Sequence, residues 1–379
     1  MNNNTANVPR SYTTPLTLRV YDALPGNPIW IGIGFAIGLL LLFFVGRVLV
    51  EGGDNSTPDE LRVAIIHILL TAYSASAYAY LLMTARKTTH DLSPVARHAP
   101  QWQTIVDRAG KHSRWILLLV GAASYLVVGV AVTNATTPAP VNPWDWQDWN
   151  YDLYWHRATT VLFMWWIGCF NYAIVVESAR LSHLSDDIES LDLLELLPYQ
   201  PLIRQGLTNA LLVIGLVSVI SLLGVESRYG PMLVAFWIMF VGLAWIGLML
   251  PLRGIRRKIR VAKDQELDWC SQTLKVARDE LKSGAGQQQS ISEITAYRSM
   301  IENIRNWPFD NPTLVRFTLY LMIPLGSWLG GAFVERGLDL FLSWPTNALL
   351  RVGERPLLAA ISIGQRNTLS KADIQKWQS

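Results

Sequence analysis

Seven long apolar stretches punctuate the chain: 30–50, 63–83, 115–132, 159–176, 207–225, 232–252 and 314–334. A helix needs roughly 20 mostly apolar residues to cross a hydrocarbon core about 30 Å thick, and each stretch meets that length. The pattern predicts an all-α fold, a polytopic transmembrane helix bundle of about seven spans. The first stretch is too long and too far from the first residue for a cleaved signal peptide, so it is expected to remain as an anchor.

The polar residues between the stretches set the expected orientation. Arg86, Lys87, Arg97, Arg108, Lys111 and Arg114 follow the second stretch, and Arg253, Arg256, Arg257, Lys258, Arg260 and Lys263 follow the sixth. Basic loops favour the cytoplasmic side. The loops between stretches one and two and between three and four are acidic, with Glu51, Asp54, Asp59 and Glu60 in one and Asp145, Asp148 and Asp152 in the other. The amino terminus is therefore placed inside. The predicted organisation is a cytoplasmic tail at 1–27, spans one to six at 28–252, a cytoplasmic helical hairpin at 253–310, a last span at 311–340 and a carboxyl-terminal tail at 341–379.

Within the hairpin, Leu267, Cys270, Leu274, Ala277 and Leu281 recur at helical spacing and form one apolar stripe. A polar connector, 283–290, precedes a second helix with Ile291, Ile294, Ile301 and Ile304 on one side, ending before Trp307-Pro308. The first arm would extend about 42 Å. It can pack on its return arm or on copies of itself in a homo-oligomer. Its basic cluster (Arg253, Arg256, Arg257, Lys258, Arg260 and Lys263) is expected at lipid headgroups, worth roughly 1 kcal/mol per basic residue.

Polar positions inside the apolar stretches are the candidates for function. His67, Thr71, Ser74 and Tyr78 share one helix face, which must meet protein or water rather than lipid. Arg316, Tyr320 and Ser327 form a second stripe in the last stretch, beside Pro324. These two stripes are the pore candidates. Gly34 with Gly38, and Gly326 with Gly330, have the spacing that lets helices approach closely. Glu177 and Arg180 are placed to pair one turn apart. The run 143–157, dense in tryptophan, reads as an interfacial loop or short helix, or as an outer vestibule for cations or aromatic ligands.

Composition narrows the functional classes. Of 379 residues, 51% are hydrophobic and only 16% charged, with 16 tryptophans and a net charge of +3. Average soluble proteins carry about 25% charged residues. Two cysteines exclude a disulfide framework. No lysine lies in an apolar stretch, which argues against a retinal protein, and the histidines and cysteines lack metal-ligand spacing. No phosphate-binding, nucleophile-elbow or zinc-protease motif occurs. The expectation is a non-enzymatic protein without cofactor or metal and without nucleic acid, integral to a plasma or bacterial inner membrane, with membrane lipids as partners. In layout alone the chain is similar to the insect odorant and gustatory receptor channels, with no matching residue motif. Two functions follow from this reading. One is an oligomeric ion channel or receptor-channel with its pore near spans two and seven. The other is a non-catalytic scaffold, sensor or accessory subunit that docks a cytoplasmic protein through the hairpin.

Overall fold

The computed structural model describes residues 12–51, 58–96, 102–136, 151–186, 193, 197–222, 230–283 and 288–304, with isolated positions between Val315 and Gly326. The chain divides into two units, Met1–Pro324 and Leu325–Ser379; of the second, only Gly326 is described.

The first unit is almost entirely helical. A two-residue strand β1 (Tyr12–Thr13) leads to α1 (Leu16–Ala23), α2 (Pro28–Glu51), α3 (Pro58–Asp91), and the short α4 (Ser93–Ala96) and α5 (Trp102–Arg108). Strand β2 (His112–Ser113) opens α6 (Arg114–Ser124), which passes through a π-helical turn at Tyr125–Gly129 into α7 (Val130–Thr136). Then come α8 (Tyr151–Asp186), α9 (Gln200–Ser221), α10 (Gly230–Met249), α11 (Arg253–Lys282) and α12 (Gln288–Asn303). Among the described residues, five helices are long and apolar enough to cross a membrane, or six if α10 and α11, bent by 49° at their junction, are taken as one broken span. The chain is thus a multi-pass helical protein. Most of the seventh stretch, with Arg316, Ser327 and Gly330, lies outside the described residues.

The hydrophobic core gathers around α8. Phe163, Phe170, Ile174 and Leu181 of α8 are fully or nearly fully buried with Leu81 and Leu82 of α3, Leu202 and Leu216 of α9, and Phe240 of α10. The most apolar part of α2 is instead largely exposed. In water such exposure would oppose folding; against lipid tails it carries no cost, because the solvent is equally apolar.

Glycines let α8 and α9 sit close to their neighbours. A Cβ at Gly206 would run into the Leu248 carbonyl of α10, and one at Gly168 into Ser124 and the Val120 carbonyl of α6. The glycines predicted from spacing behave differently, for a Cβ at Gly34 or Gly38 would meet open space. On α2 the close approaches are at Gly32, beside Ser76, and Gly46, beside Tyr151. The spacing rule finds small residues, and which of them meet a neighbour depends on helix rotation.

Two further segments differ from expectation. The amino-terminal segment is more than a tail. Tyr12–Thr13 pairs antiparallel with His112–Ser113, Tyr21 hydrogen-bonds Ser76 at 2.8 Å, and Trp166 donates to Thr17 at 3.1 Å. Burial pushes the Tyr21 phenol above its ordinary range, partly offset by the Ser76 hydrogen bond. The tryptophan-rich run is not wholly interfacial, since Tyr151–Arg157 forms the first two turns of α8 with Asp152, Trp155 and His156 buried.

Candidate functional site

Polar side chains are buried along most of α8, at Asp152, His156, Thr159, Thr160, Glu177, Ser178, Ser182 and Ser185. They collect at the two ends of the bundle, with an apolar stretch around Phe163, Met164 and Ile167 between them.

At the first end, Arg47 of α2 lies 3.4 Å from Asp152, both side chains less than one-tenth exposed. This ion pair was not foreseen, although Arg47 stands in an otherwise uncharged stretch and Asp152 precedes His156 by one helical turn. One turn deeper, the His156 ring lies 4.9 Å from that of His67, which also packs at 5.3 Å on Phe163. His67 Nδ1 is 2.8 Å from the Val63 carbonyl. A carbonyl only accepts, so Nδ1 donates, and in the neutral ring Nε2 is left as an acceptor. That Nε2 is buried with no hydrogen-bond partner among the described residues.

The other members of the predicted α3 stripe are turned into the bundle; Thr71 and Ser74 are satisfied along their own helix, whereas the buried Tyr78 hydroxyl has no hydrogen-bond partner among the described residues. Thr71 donates to the His67 carbonyl at 2.7 Å and Ser74 to the Thr71 carbonyl at 3.3 Å. Tyr78 is 2% exposed within the core. Of the four, only His67 lines a cavity of about 80 Å³ bounded by α3, α6, the π-helical turn, α7, α8, α9 and α10. Tyr320, from the second predicted stripe, is exposed.

At the opposite end, Glu177 is the hub. Its Oε1 accepts from Arg180 at 2.7 Å and from the Gly110 backbone N–H at 3.2 Å, and lies 3.1 Å from His112 Nε2. Arg180 donates onward to the carbonyls of Arg108 at 2.8 Å and Lys111 at 3.3 Å. Gly110 presents its N–H from the left-handed region, at φ +66, where a side chain would be strained and would collide with Arg86. The β1–β2 pairing holds His112 in place. The foreseen Glu177–Arg180 pair is therefore part of a larger buried network.

A neutral chain of hydrogen bonds crosses four helices nearby. Thr88 of α3 donates to Gln205 of α9 at 3.1 Å, Gln205 to Asn209 at 2.8 Å, and Asn209 to Ser178 of α8 at 3.0 Å and to the Gly247 carbonyl of α10 at 3.3 Å. Leaving a buried polar partner unsatisfied costs about 1–3 kcal/mol. Asn209→Leu is expected to lower the melting temperature of the detergent-solubilised protein by several degrees, while Asn209→Gln recovers part of the loss; equal melting of Asn209→Leu and wild type would contradict the network.

The hairpin is seated on this end of α8. Gly254 abuts Ser182 and Ser185 so closely that a Cβ would overlap them, and Arg257 reaches Asp186 at 3.1 Å. Its two arms pack together. Ile301 and Cys270 are fully buried, Trp269 meets Tyr297 edge-on at 6.1 Å, and Lys263 caps the return arm through the carbonyls of Glu302 and Ile304, each at 2.7 Å. Of the basic cluster, Arg253, Arg256, Arg257 and Arg260 are exposed and Lys258 is half-buried. Lys263 is engaged within the hairpin rather than turned outward. Burial, then neighbouring Glu266, pushes the Cys270 thiol above its ordinary range. Alkylation of Cys270 is expected to be slow in the native protein and to accelerate at least about tenfold when Lys263→Ala and Tyr297→Ala loosen the arms, since the thiolate is the reactive form; equal rates would contradict a closed hairpin.

No groups of three or more metal-ligand side chains capable of holding an ion occur among the described residues. No protein-family model matches the chain, and no curated protein or solved structure matches it either.

Proposed function

We propose that this protein is a non-catalytic membrane sensor or scaffold whose cytoplasmic hairpin, α11 with α12, docks a protein partner. The observation that carries this reading is the unbroken α8. The same rigid helix holds the buried Arg47–Asp152 and His67–His156 groups at one end and the seat of the hairpin at the other. At 1.5 Å per residue these lie about 45 Å apart, so a displacement at the membrane site would be delivered to the hairpin base without an intervening loop. The outward side of α11 supports the docking role. Val261 and Val276 fall on one side of the helix and are each about half exposed, while Ile255, Ile259 and Cys270 face inward.

The test is co-purification from native membranes. Replacing Val261 and Val276 by Asp should remove a cytoplasmic partner without altering membrane insertion or melting temperature. Recovery of the same partners from a chain lacking 255–304 would count against the reading. A second reading, an oligomeric channel, draws support from the cavity beside His67. It predicts a symmetric ring with a hydrated axis, and monomers in lipid nanodiscs would contradict it.

A further inference from the structure

The cavity beside His67 separates the two polar ends of α8. Its walls are mostly apolar, including Leu70, Phe163, Phe236 and Phe240, but His67 and Asn171 also line it. His67, 1% exposed, offers Nε2, and Asn171 offers Oδ1; neither atom has a hydrogen-bond partner among the described residues. Asn171 lies about 12 Å along α8 from Phe163, the residue against which His67 packs. Ser124, at the start of the π-helical turn, lines the cavity between them; such turns recur at functional sites.

We propose that this cavity is a hydration site, in which a short file of water molecules donates hydrogen bonds to His67 Nε2 at one end and to Asn171 Oδ1 at the other. The chemistry selects the occupant. Both protein atoms are acceptors, so the ligand must be a donor, and water supplies two donors in the smallest volume. A cavity of about 80 Å³ is large enough for several waters, since each needs about 10–15 Å³ of such space. Purely apolar cavities stay dry; the two acceptors and the Ser124 hydroxyl distinguish this one. Water here would join the His67–His156 pair to the Asn171 end of the apolar gap, beyond which Tyr172 meets His112 at 5.4 Å. The inference is independent of any role for the hairpin.

Hydroxyl-radical footprinting of the full-length protein in lipid nanodiscs tests it, because radicals formed from bound water modify the side chains beside it. Phe163 lines the cavity, whereas Phe170 on the same helix does not, and both are almost fully buried. The expected result is modification of Phe163 several-fold faster than Phe170 in the wild type, with the difference reduced in His67→Leu and in Asn171→Leu. The wild-type comparison stands even if a variant fails to fold. Equal, slow modification of both phenylalanines would overturn the proposal, as expected of a dry cavity or one filled by an apolar molecule. Fast modification of Phe163 that neither variant alters would overturn the assignment of the two acceptors.

Discussion

Glu177→Leu is expected to be the most damaging single substitution at the hairpin end of the bundle. It removes the acceptor shared by Arg180 and the Gly110 N–H, 3.1 Å from His112 Nε2, and leaves the Arg180 guanidinium, 16% exposed at its side chain, with only two backbone carbonyls. Removing one partner of a buried ion pair typically costs about 3–5 kcal/mol, because the remaining charge stays desolvated. The expected result is a melting temperature lower by ten degrees or so in detergent, with increased proteolysis between α5 and α6, where Gly110 and His112 are released. Glu177→Leu combined with Arg180→Leu should recover part of the loss, since the double change removes the orphaned charge. A double variant that melts at the sum of the two single losses would show that the residues do not form one network.

Gly254→Val is expected to detach the hairpin while sparing the bundle. A Cβ at Gly254 would overlap Ser185 Oγ and the Ser182 carbonyl of α8. The second of these is backbone, so rotation of a side chain cannot relieve the clash, and overpacking of this kind costs typically 1–3 kcal/mol. The strain is released most readily by lifting the base of α11, which would also break Arg257–Asp186. Hydrogen exchange across 253–262 should accelerate at least about tenfold, with exchange in the buried middle of α8 unchanged. Gly254→Ala should give a smaller effect in the same direction. Wild-type exchange at 253–262 in the valine variant would contradict the tight seat.

The difference between these sites explains what the sequence disclosed. Long apolar runs revealed the helices of the bundle, because lipid permits exposed leucine and valine over much of α2, and composition alone marks such a helix. The hairpin was legible for a related reason. Cys270 and Ile301 recur at helical spacing and are buried between its arms. Partnership was not legible. His67 was found as a polar residue in an apolar run, but its neighbour His156 stood in a segment that read as an interfacial aromatic loop. Arg47 and Asp152 were each visible as single charges near span ends, where headgroups ordinarily satisfy them. Gln205 and Asn209, one turn apart on α9, carried the clearest missed signal, a pair of amides at helical spacing. The glycine motif at Gly34 and Gly38 misled for the converse reason: spacing identifies a small-residue face without revealing which way it turns.

The arrangement makes α8 the axis of the first unit. Its middle is the apolar core, its ends carry buried charge, and the hairpin rests on one of those ends. Hydrogen exchange of the hairpin base in an Asp152→Asn variant, in lipid nanodiscs, probes the coupling most directly. Asp152 is about 45 Å along the helix from the seat of Gly254. If α8 links the membrane site to the hairpin, exchange across 253–262 should change several-fold relative to wild type while α8 itself remains protected. Identical exchange at 253–262 in the two proteins, with the Arg47 end visibly loosened, would contradict the coupling.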